Sequence, residues 1–453
     1  MNFSELIKYS GISKFSPNGR HIAVTQGHRL AIKDIDHMQS IQIFACQDVI
    51  SHVEWSPDSM YILAAQYKKA VVQVFSIQDP EWTCLIEEGL SGLTFARWVP
   101  DSRQIITISQ FQLKLTVWSL IDRSVSYIKN PKHSDRALSF SSDGKFMALA
   151  ERRDTKDYMG IYYTEDWKLV NHFQLDSVDL NDLRWAPDDS AIVVWDNCID
   201  YRLMVYCPAQ GLIAKHQPYE NALGIKSVEF SQNGQFLAVG SYDQKARIFN
   251  HISWRLITEL EHKTQMSEGA ELHVYKEEEY REGPAYGLED RLTSRYVMQN
   301  LPLKINSIKP STDKPNPQMG VSLALWSPDS KYLVTKNDNM PTTLWLWDMT
   351  TLTLHVVLIQ FHPIKSVAWS PKTQHLAFST GTGRIFLWSE EGASVCDIPI
   401  ENRQFNVQKI QWNPEGDSIL LGDKGELLMA YPQFEFFDDE EEGLGEDHYD
   451  DQQ

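Results

Sequence analysis

The stretch Trp55-Ser-Pro-Asp-Ser59, followed at once by the apolar run Tyr61-Ile-Leu-Ala-Ala65, decides how this chain folds. Proline fixes φ at the first central position of a turn, and Asp followed by Ser or Gly favours reversal, so the phrase is a hairpin turn between two strands. Working outward, residues 50–55 alternate as an inner strand and 61–66 return. Residues 71–77 then follow Lys68-Lys69, and 83–87 form a polar outer strand. Apolar character falls from the first strands to the last, as a sheet set radially about an axis requires.

The phrase recurs as Phe15-Ser-Pro-Asn-Gly19, Trp98-Val-Pro-Asp-Ser102, Phe140-Ser-Ser-Asp-Gly144, Trp185-Ala-Pro-Asp-Asp189 and Phe230-Ser-Gln-Asn-Gly234. Trp326-Ser-Pro-Asp-Ser330, Trp369-Ser-Pro-Lys-Thr373 and Trp412-Asn-Pro-Glu-Gly416 complete nine copies. Their aromatics stand 40 to 45 residues apart, with a single step of 96 that marks an insertion at 263–319. A period near forty with four strands per unit belongs to blades of a WD-type β-propeller, so the fold class is all-β with nine four-stranded blades. Nine exceeds the usual four to eight, which leaves one large ring or two smaller propellers; the absence of an interdomain linker favours one ring. The last unit supplies strands near 407–412, 418–421 and 426–431 but no fourth, and residues 2–9 are placed to fill it and close the ring.

With 453 residues, 42% of them hydrophobic, the chain can bury an extensive core. Its 61 acidic residues against 42 basic give a formal charge of −19, which argues against nucleic acid as a partner. Nine carboxylates fall within 438–451, so the chain divides into a propeller over 1–432 and an acidic disordered tail over 433–453. Five cysteines without a CxxC pair fit a reducing compartment. The N-terminus lacks the features of a secretory leader, and no stretch of eighteen apolar residues offers a membrane span, so no membrane association is expected. The insertion carries Lys276-Glu-Glu-Glu-Tyr-Arg-Glu282 and Lys309-Pro-Ser-Thr-Asp-Lys-Pro-Asn-Pro317, the composition of an exposed loop. Residues 271–275 and 296–305 are its best candidates for a projecting hairpin, a plausible docking element.

Chemistry-bearing motifs are few. There is no Walker phosphate loop, no G-x-S-x-G elbow and no Cys/His spacing suited to zinc, so no catalytic residue, cofactor or metal is assigned. Gly381-Thr-Gly-Arg384 falls between second and third strands, where glycines serve a turn. The loops between those strands emerge on one face, and the most basic holds Arg152, Arg153 and Lys156 with Tyr158 close behind. Arg and Tyr favour interface hot spots, which makes these four residues the partner-binding candidates. Self-paired, solvated charges are the alternative. If the loop is a partner surface, reversing Arg152 and Arg153 to glutamate weakens binding and leaves the fold intact.

The repeat itself is degenerate. Trp347-Asp348 is the one Trp-Asp pair ending a third strand, replaced elsewhere by Phe75-Ser76, Trp118-Ser119 or Trp388-Ser389. The Gly-His pair expected between blades is essentially missing, and Gly240-Ser-Tyr-Asp243 is the best candidate for a turn whose aspartate orders a blade. Irregular phrases outside that repeat resemble the WD repeat-containing protein eight family of centrosomes and spindle poles. They are Val72-Gln-Val-Phe-Ser-Ile-Gln-Asp-Pro-Glu-Trp82, Ser124-Val-Ser-Tyr-Ile-Lys129, Ala148-Leu-Ala-Glu-Arg-Arg-Asp154 with Lys156-Asp-Tyr158, Gly224-Ile-Lys-Ser-Val228, and Phe236-Leu-Ala-Val-Gly-Ser-Tyr-Asp243 leading to Asn250-His-Ile-Ser-Trp254. The insertion and the acidic tail depart from the family pattern.

The resemblance implies a non-enzymatic adaptor that helps anchor microtubule minus ends and supports spindle assembly and cilium formation. It also implies a coiled-coil centrosomal anchoring protein of the synovial-sarcoma-X-breakpoint-interacting class as partner, with a minus-end-directed kinesin in some fungi. Microtubules are then met indirectly, because tubulin and this chain are both acidic. Two readings compete: a translation-initiation-factor-like propeller that binds the ribosome or initiation factors, and a ring-borne hydrolase. The first asks for a basic surface or helical extension, and the second for convergent acid, base or metal groups.

Overall fold

A computed structural model describes residues 1–209, 211–267, 272–282, 291–310, 317–400 and 405–433. In the second repeat the strands are His52–Trp55, Tyr61–Gln66, Val71–Ser76 and Thr83–Glu87, paired in that order as an antiparallel meander. The sequence reading of this unit holds to within two residues. Eight further sheets repeat it, giving blades 1 to 9 over residues 13–45, 52–87, 95–129, 138–174, 180–216, 225–261, 321–359, 366–397 and 409–431. Among the described residues the only helical segments are three single 3-10 turns. Among the described residues no helix is long and apolar enough to cross a membrane.

Side chains alternate across a strand, so the second strand of each blade feeds both neighbours. Ile62 and Ala64 join the apolar cluster shared with blade 1, while Leu63 and Ala65 join the one shared with blade 3. A cluster of this kind fills every interface around the cycle, including blade 9 to blade 1, where Leu420, Leu427 and Met429 meet Ile22 and Val24. Two smaller propellers would break that cycle. The nine blades therefore form one ring.

The N-terminal segment closes it. Asn2 and Phe3 pair antiparallel with Tyr431 and Ala430, and Ile7 and Lys8 with Leu427 and Glu426. Between the two short pairings, Ser4 donates its amide to the Met429 carbonyl at 2.9 Å and accepts the Met429 amide on Oγ at 3.0 Å. Blade 9 thus takes its outer strand from the opposite end of the chain, which covers the edge an incomplete sheet would expose.

The repeated phrase does more than turn the chain. The serine after the aromatic is buried in Ser16, Ser56, Ser141, Ser231 and Ser327, and its hydroxyl donates to the Asp or Asn two residues on. The same hydroxyl accepts the amide five residues on, as at Tyr61, so one oxygen locks both ends of the turn. The fifth residue has positive φ in every copy except Thr373. Glycine meets that demand without strain at Gly19, Gly144, Gly234 and Gly416. Where Ser59, Ser102 and Ser330 occupy it instead, each hydroxyl accepts the backbone amide of the preceding blade's turn, at 3.0, 3.1 and 3.0 Å. A bond between blades offsets the backbone strain.

The choice of Trp over Phe in the phrase has a matching cause. The indole N–H of Trp55 donates to the Lys14 carbonyl at 3.0 Å, and that of Trp98 to Glu54 at 3.1 Å. Trp326, Trp369 and Trp412 do the same to Glu229, Leu325 and Ala368. In all five the acceptor is the residue just before the aromatic of the preceding blade, so each indole ties one inner strand to the next. Trp185 is the exception: its buried N–H has no partner among the described residues.

Two positions left open by the degenerate signature are filled from elsewhere. His262 Nδ1 donates to the Gln244 carbonyl at 2.9 Å, leaving Nε2 to accept from the Thr335 hydroxyl at 2.8 Å, which in turn accepts the Trp347 indole at 2.8 Å. Burial pulls the imidazole pKa down to about 4, consistent with this neutral acceptor role. The histidine missing from the sequence pattern is thus present before blade 7, separated from it by the insertion. In blade 3 the equivalent chain runs from the Trp118 indole to Thr107 at 2.8 Å and from the Thr107 hydroxyl to the Glu88 carboxylate. Asp243 orders blade 6 as expected, accepting Arg247 Nη2 at 2.6 Å and the Ser241 hydroxyl.

The insertion differs from its expected form. Its strands are His273–Glu282 and Arg291–Met298, and the first pairs parallel with Thr353–Ile359, widening blade 7 to six strands. The base of the hairpin packs along the rim of blades 7 and 8, and its turn, 283–290, lies outside the described residues. Tyr275 and Tyr296 pack into the cluster between blades 7 and 8, and buried Glu277 accepts the Phe361 amide and the Ser294 hydroxyl, both at 2.9 Å. The run read as a solvated loop is therefore a strand whose alternate carboxylates face Arg384 of blade 8, with Glu279 at 3.1 Å. The acidic tail from 434 onward lies outside the described residues.

The indole bonds make a differential prediction. Trp98→Phe removes a donor and strands the Glu54 carbonyl, whereas Trp185→Phe removes a similar volume and no hydrogen bond. Thermal or denaturant unfolding is expected to show Trp98→Phe costing about 1 kcal/mol more than Trp185→Phe. Equal losses would show that the indole bonds contribute nothing beyond packing.

Candidate partner-binding surface

Each inner strand runs toward its phrase, so the nine phrase turns share one face of the ring. The loops between second and third strands share the other, called here the loop face. On it, blade 4 stands out. Its second and third strands, Phe146–Arg153 and Lys156–Tyr163, have 8 residues each against at most 6 in the other blades. Asp154 and Thr155 join them, both at positive φ (47° and 66°), the geometry of a type I′ two-residue hairpin. Arg152, Arg153, Lys156 and Tyr158 thus belong to a strand pair that extends past its neighbours.

The four candidates are not equivalent. Arg152 Nη1 lies 3.0 Å from Asp157 and 3.0 Å from Asp179, and the Lys132 ammonium reaches the same two carboxylates at 2.6 and 2.8 Å. Asp157 is fully buried and also accepts the Leu180 amide at 2.8 Å. Asp196 lies buried beside this group, and burial lifts its carboxyl above the usual carboxylate range. Arg153 donates to buried Glu151 at 2.6 Å, and the Tyr162 hydroxyl reaches the other Glu151 oxygen at 2.5 Å. A Cβ on Gly160 would come within 2.6 Å of that oxygen, so glycine is what admits the carboxylate. Tyr158 stacks on His172 with ring centroids 5.2 Å apart and planes 9° from parallel. Lys156 is exposed and makes no ion pair among the described residues.

Arg152 therefore neutralises buried Asp157 on the blade 5 side, and Arg153 neutralises buried Glu151 beside Tyr162, which packs between blades 3 and 4. Reversing their charge is not a fold-neutral probe, contrary to the sequence expectation. Lys156 and the exposed edge of Tyr158 remain available at the hairpin tip.

Sequence reasoning missed an apolar feature on the adjacent blade. Leu90, Phe111 and Leu113 are 109%, 87% and 62% exposed, and Gln110 packs against Gly92, which brings their two loops together. Phe111 and Gln112 both have positive φ, at 59° and 55°. A bulky aromatic held exposed in a disfavoured backbone conformation is the kind of local strain that collects at binding sites. The residues were visible as a loop, but nothing in their spacing says which way Phe111 points. Elsewhere, Arg384 of the Gly381 loop turns inward to Asp397 at 2.9 Å, as a structural turn would. Among the described residues no group of His, Cys, Asp or Glu gathers as for a metal ion, and all five cysteines are free thiols.

Comparison with known proteins agrees with this architecture. The mouse WD repeat-containing protein WRAP73 is 40% identical over 446 residues, covering 95% of this chain and 96% of the mouse protein. The chain belongs to the WD-repeat protein family. A family model described as "WD domain, G-beta repeat" matches residues 214–250. That span begins in the outer strand of blade 5 and ends with the third strand of blade 6, the same offset between repeat and blade that the N-terminal strand uses to close the ring. An uncharacterized WD repeat-containing protein of Schizosaccharomyces pombe is 23% identical over 359 residues, 75% of this chain and 71% of its own length. The C-terminal WD40 domain of Sif2 shares the fold at a TM-score of 0.51 and 15% identity, covering 85% of this chain and 96% of that domain.

The blade 4 network predicts a contrast between neighbours. Arg152→Glu puts a third carboxylate against Asp157 and Asp179, and because Arg152 is partly solvated its loss is expected to destabilise by about 1–3 kcal/mol. Lys156→Glu is expected to stay within about 0.5 kcal/mol of the parent. Equal unfolding midpoints for the two variants would refute the network.

Proposed function

We propose that this chain is a non-enzymatic WD-repeat scaffold of the centrosome and spindle pole that helps anchor microtubule minus ends through a coiled-coil partner of the synovial-sarcoma-X-breakpoint-interacting class. One observation carries the reading. The family-like phrase Ala148-Leu-Ala-Glu-Arg-Arg-Asp154 with Lys156-Asp-Tyr158 forms the longest second-to-third hairpin of the ring, so residues that blade geometry does not require stand where a partner would meet them. Exposed Phe111 and Leu113 on the next blade supply the apolar contact that one face of an amphipathic helix needs. A stiff disc with two accessible faces suits holding macromolecules in register. Spindle assembly and cilium formation follow as consequences of anchoring, and a minus-end-directed kinesin is a further member of the proposed assembly.

Proximity labelling with the full chain in dividing cells tests this. Centrosomal and spindle-pole neighbours, including a coiled-coil anchoring protein, are expected to dominate, and Lys156→Glu combined with Phe111→Ser is expected to reduce their labelling several-fold. Enrichment of ribosomal proteins and initiation factors instead would replace the reading with the translation-factor alternative.

A further inference from the structure

A second feature of the loop face is independent of where the protein acts in the cell. Lysines gather at the loop-face ends of the strands in blades 6 to 9. Lys226 and Lys336 share a single carboxylate, Asp338, at 2.7 and 3.9 Å. Lys336 also donates to the Ile364 carbonyl at 3.2 Å, which places it next to Lys365 at the head of the blade 8 inner strand. The Lys365 side chain and Gln408 both flank Gly381, and Lys409 follows Gln408 as the first residue of the blade 9 inner strand.

These four lysines form an arc over adjacent blades, and among the described residues Lys365 and Lys409 have no carboxylate within ion-pair distance. The mutual field is visible in two of them. Burial, with Lys226 and Lys365 adding to it, holds Lys336 below the usual lysine range, and burial with Lys14 does the same for Lys409. A chain with formal charge −19 that nonetheless groups uncompensated ammonium groups on one arc leaves them for an external anion.

We propose that this arc, Lys226, Lys336, Lys365 and Lys409, binds an acidic peptide segment of another protein, a run of Asp and Glu side chains lying along the loop-face mouth of the channel. Ammonium groups on flexible stems spread over four neighbouring blades suit a flexible run of carboxylates, each met as a point charge. A nucleic acid would bring the overall negative field of the protein against a much longer polyanion, whereas a short peptide samples mainly the local arc. The chain's own acidic residues at 438–451 follow a strand, Glu426–Tyr431, that leaves toward the phrase-turn face, so the occupant is taken to come from a partner.

The test is fluorescence anisotropy of a labelled deca-glutamate peptide with the purified full chain. Salt-sensitive binding is expected, weakened at least about tenfold by Lys365→Glu with Lys409→Glu and changed less than about twofold by Lys68→Glu with Lys69→Glu on the same face. Absence of binding, or equal loss in the two double variants with unchanged melting temperatures, overturns the proposal. A single-stranded oligothymidine of equal charge is expected to bind at least about tenfold more weakly, and equal binding would reject the peptide assignment. Removing residues 434–453 is expected to leave affinity within about twofold; a tenfold gain would give the arc to the chain's own tail and overturn the partner assignment.

Discussion

Everything in this molecule depends on sheets packing face to face around a closed cycle. A four-stranded meander with a doubly buried second strand cannot stand alone, because each of its two apolar faces needs a neighbour. Ile62 and Leu63, adjacent in sequence, serve different interfaces. Such a stack is stable only if its ends meet, and here they meet through residues 2–8 paired to 426–431. The indole bonds of Trp55, Trp98, Trp326, Trp369 and Trp412 add a directional tie on top of non-directional packing. They fix how one inner strand sits against the next.

What could be read from the chain alone follows from the same physics. The phrase around Trp55 is strictly local, and its period reported nine blades, their strand order and the need for a closing strand at the N-terminus. Asp243 was legible too, because a Ser-Tyr-Asp turn carries its partner serine within reach. The sense of Trp against Phe was not, since the acceptor of each indole belongs to another blade, 41 to 97 residues away. His262 was missed because the insertion separates it from Thr335 by 73 residues. The charged run at 276–282 looked solvated because period-two alternation of acids reads as polarity until Arg384 is known to lie opposite.

The candidate surface shows a similar division. Composition marked 152–158 as basic, but not that Arg152 and Arg153 are committed to Asp157, Asp179 and Glu151 beneath the surface. Nor does the net charge describe local fields. Lys226, Lys336, Lys365 and Lys409 are scattered along an acidic chain, and only the ring brings them together. A propeller binds with surfaces assembled from many repeats, so degenerate blades allow each loop to differ while the shared core stays constant.

Hydrogen exchange on the full chain and on a chain lacking residues 1–9 tests most directly whether closure holds the ring. The account predicts lost protection at 426–431, spreading to 21–26 in blade 1 across the interface where Leu427 and Met429 meet Ile22 and Val24, together with a lower and broader melting transition. Unchanged protection on both sides of that seam, with an unchanged melting curve, would contradict it.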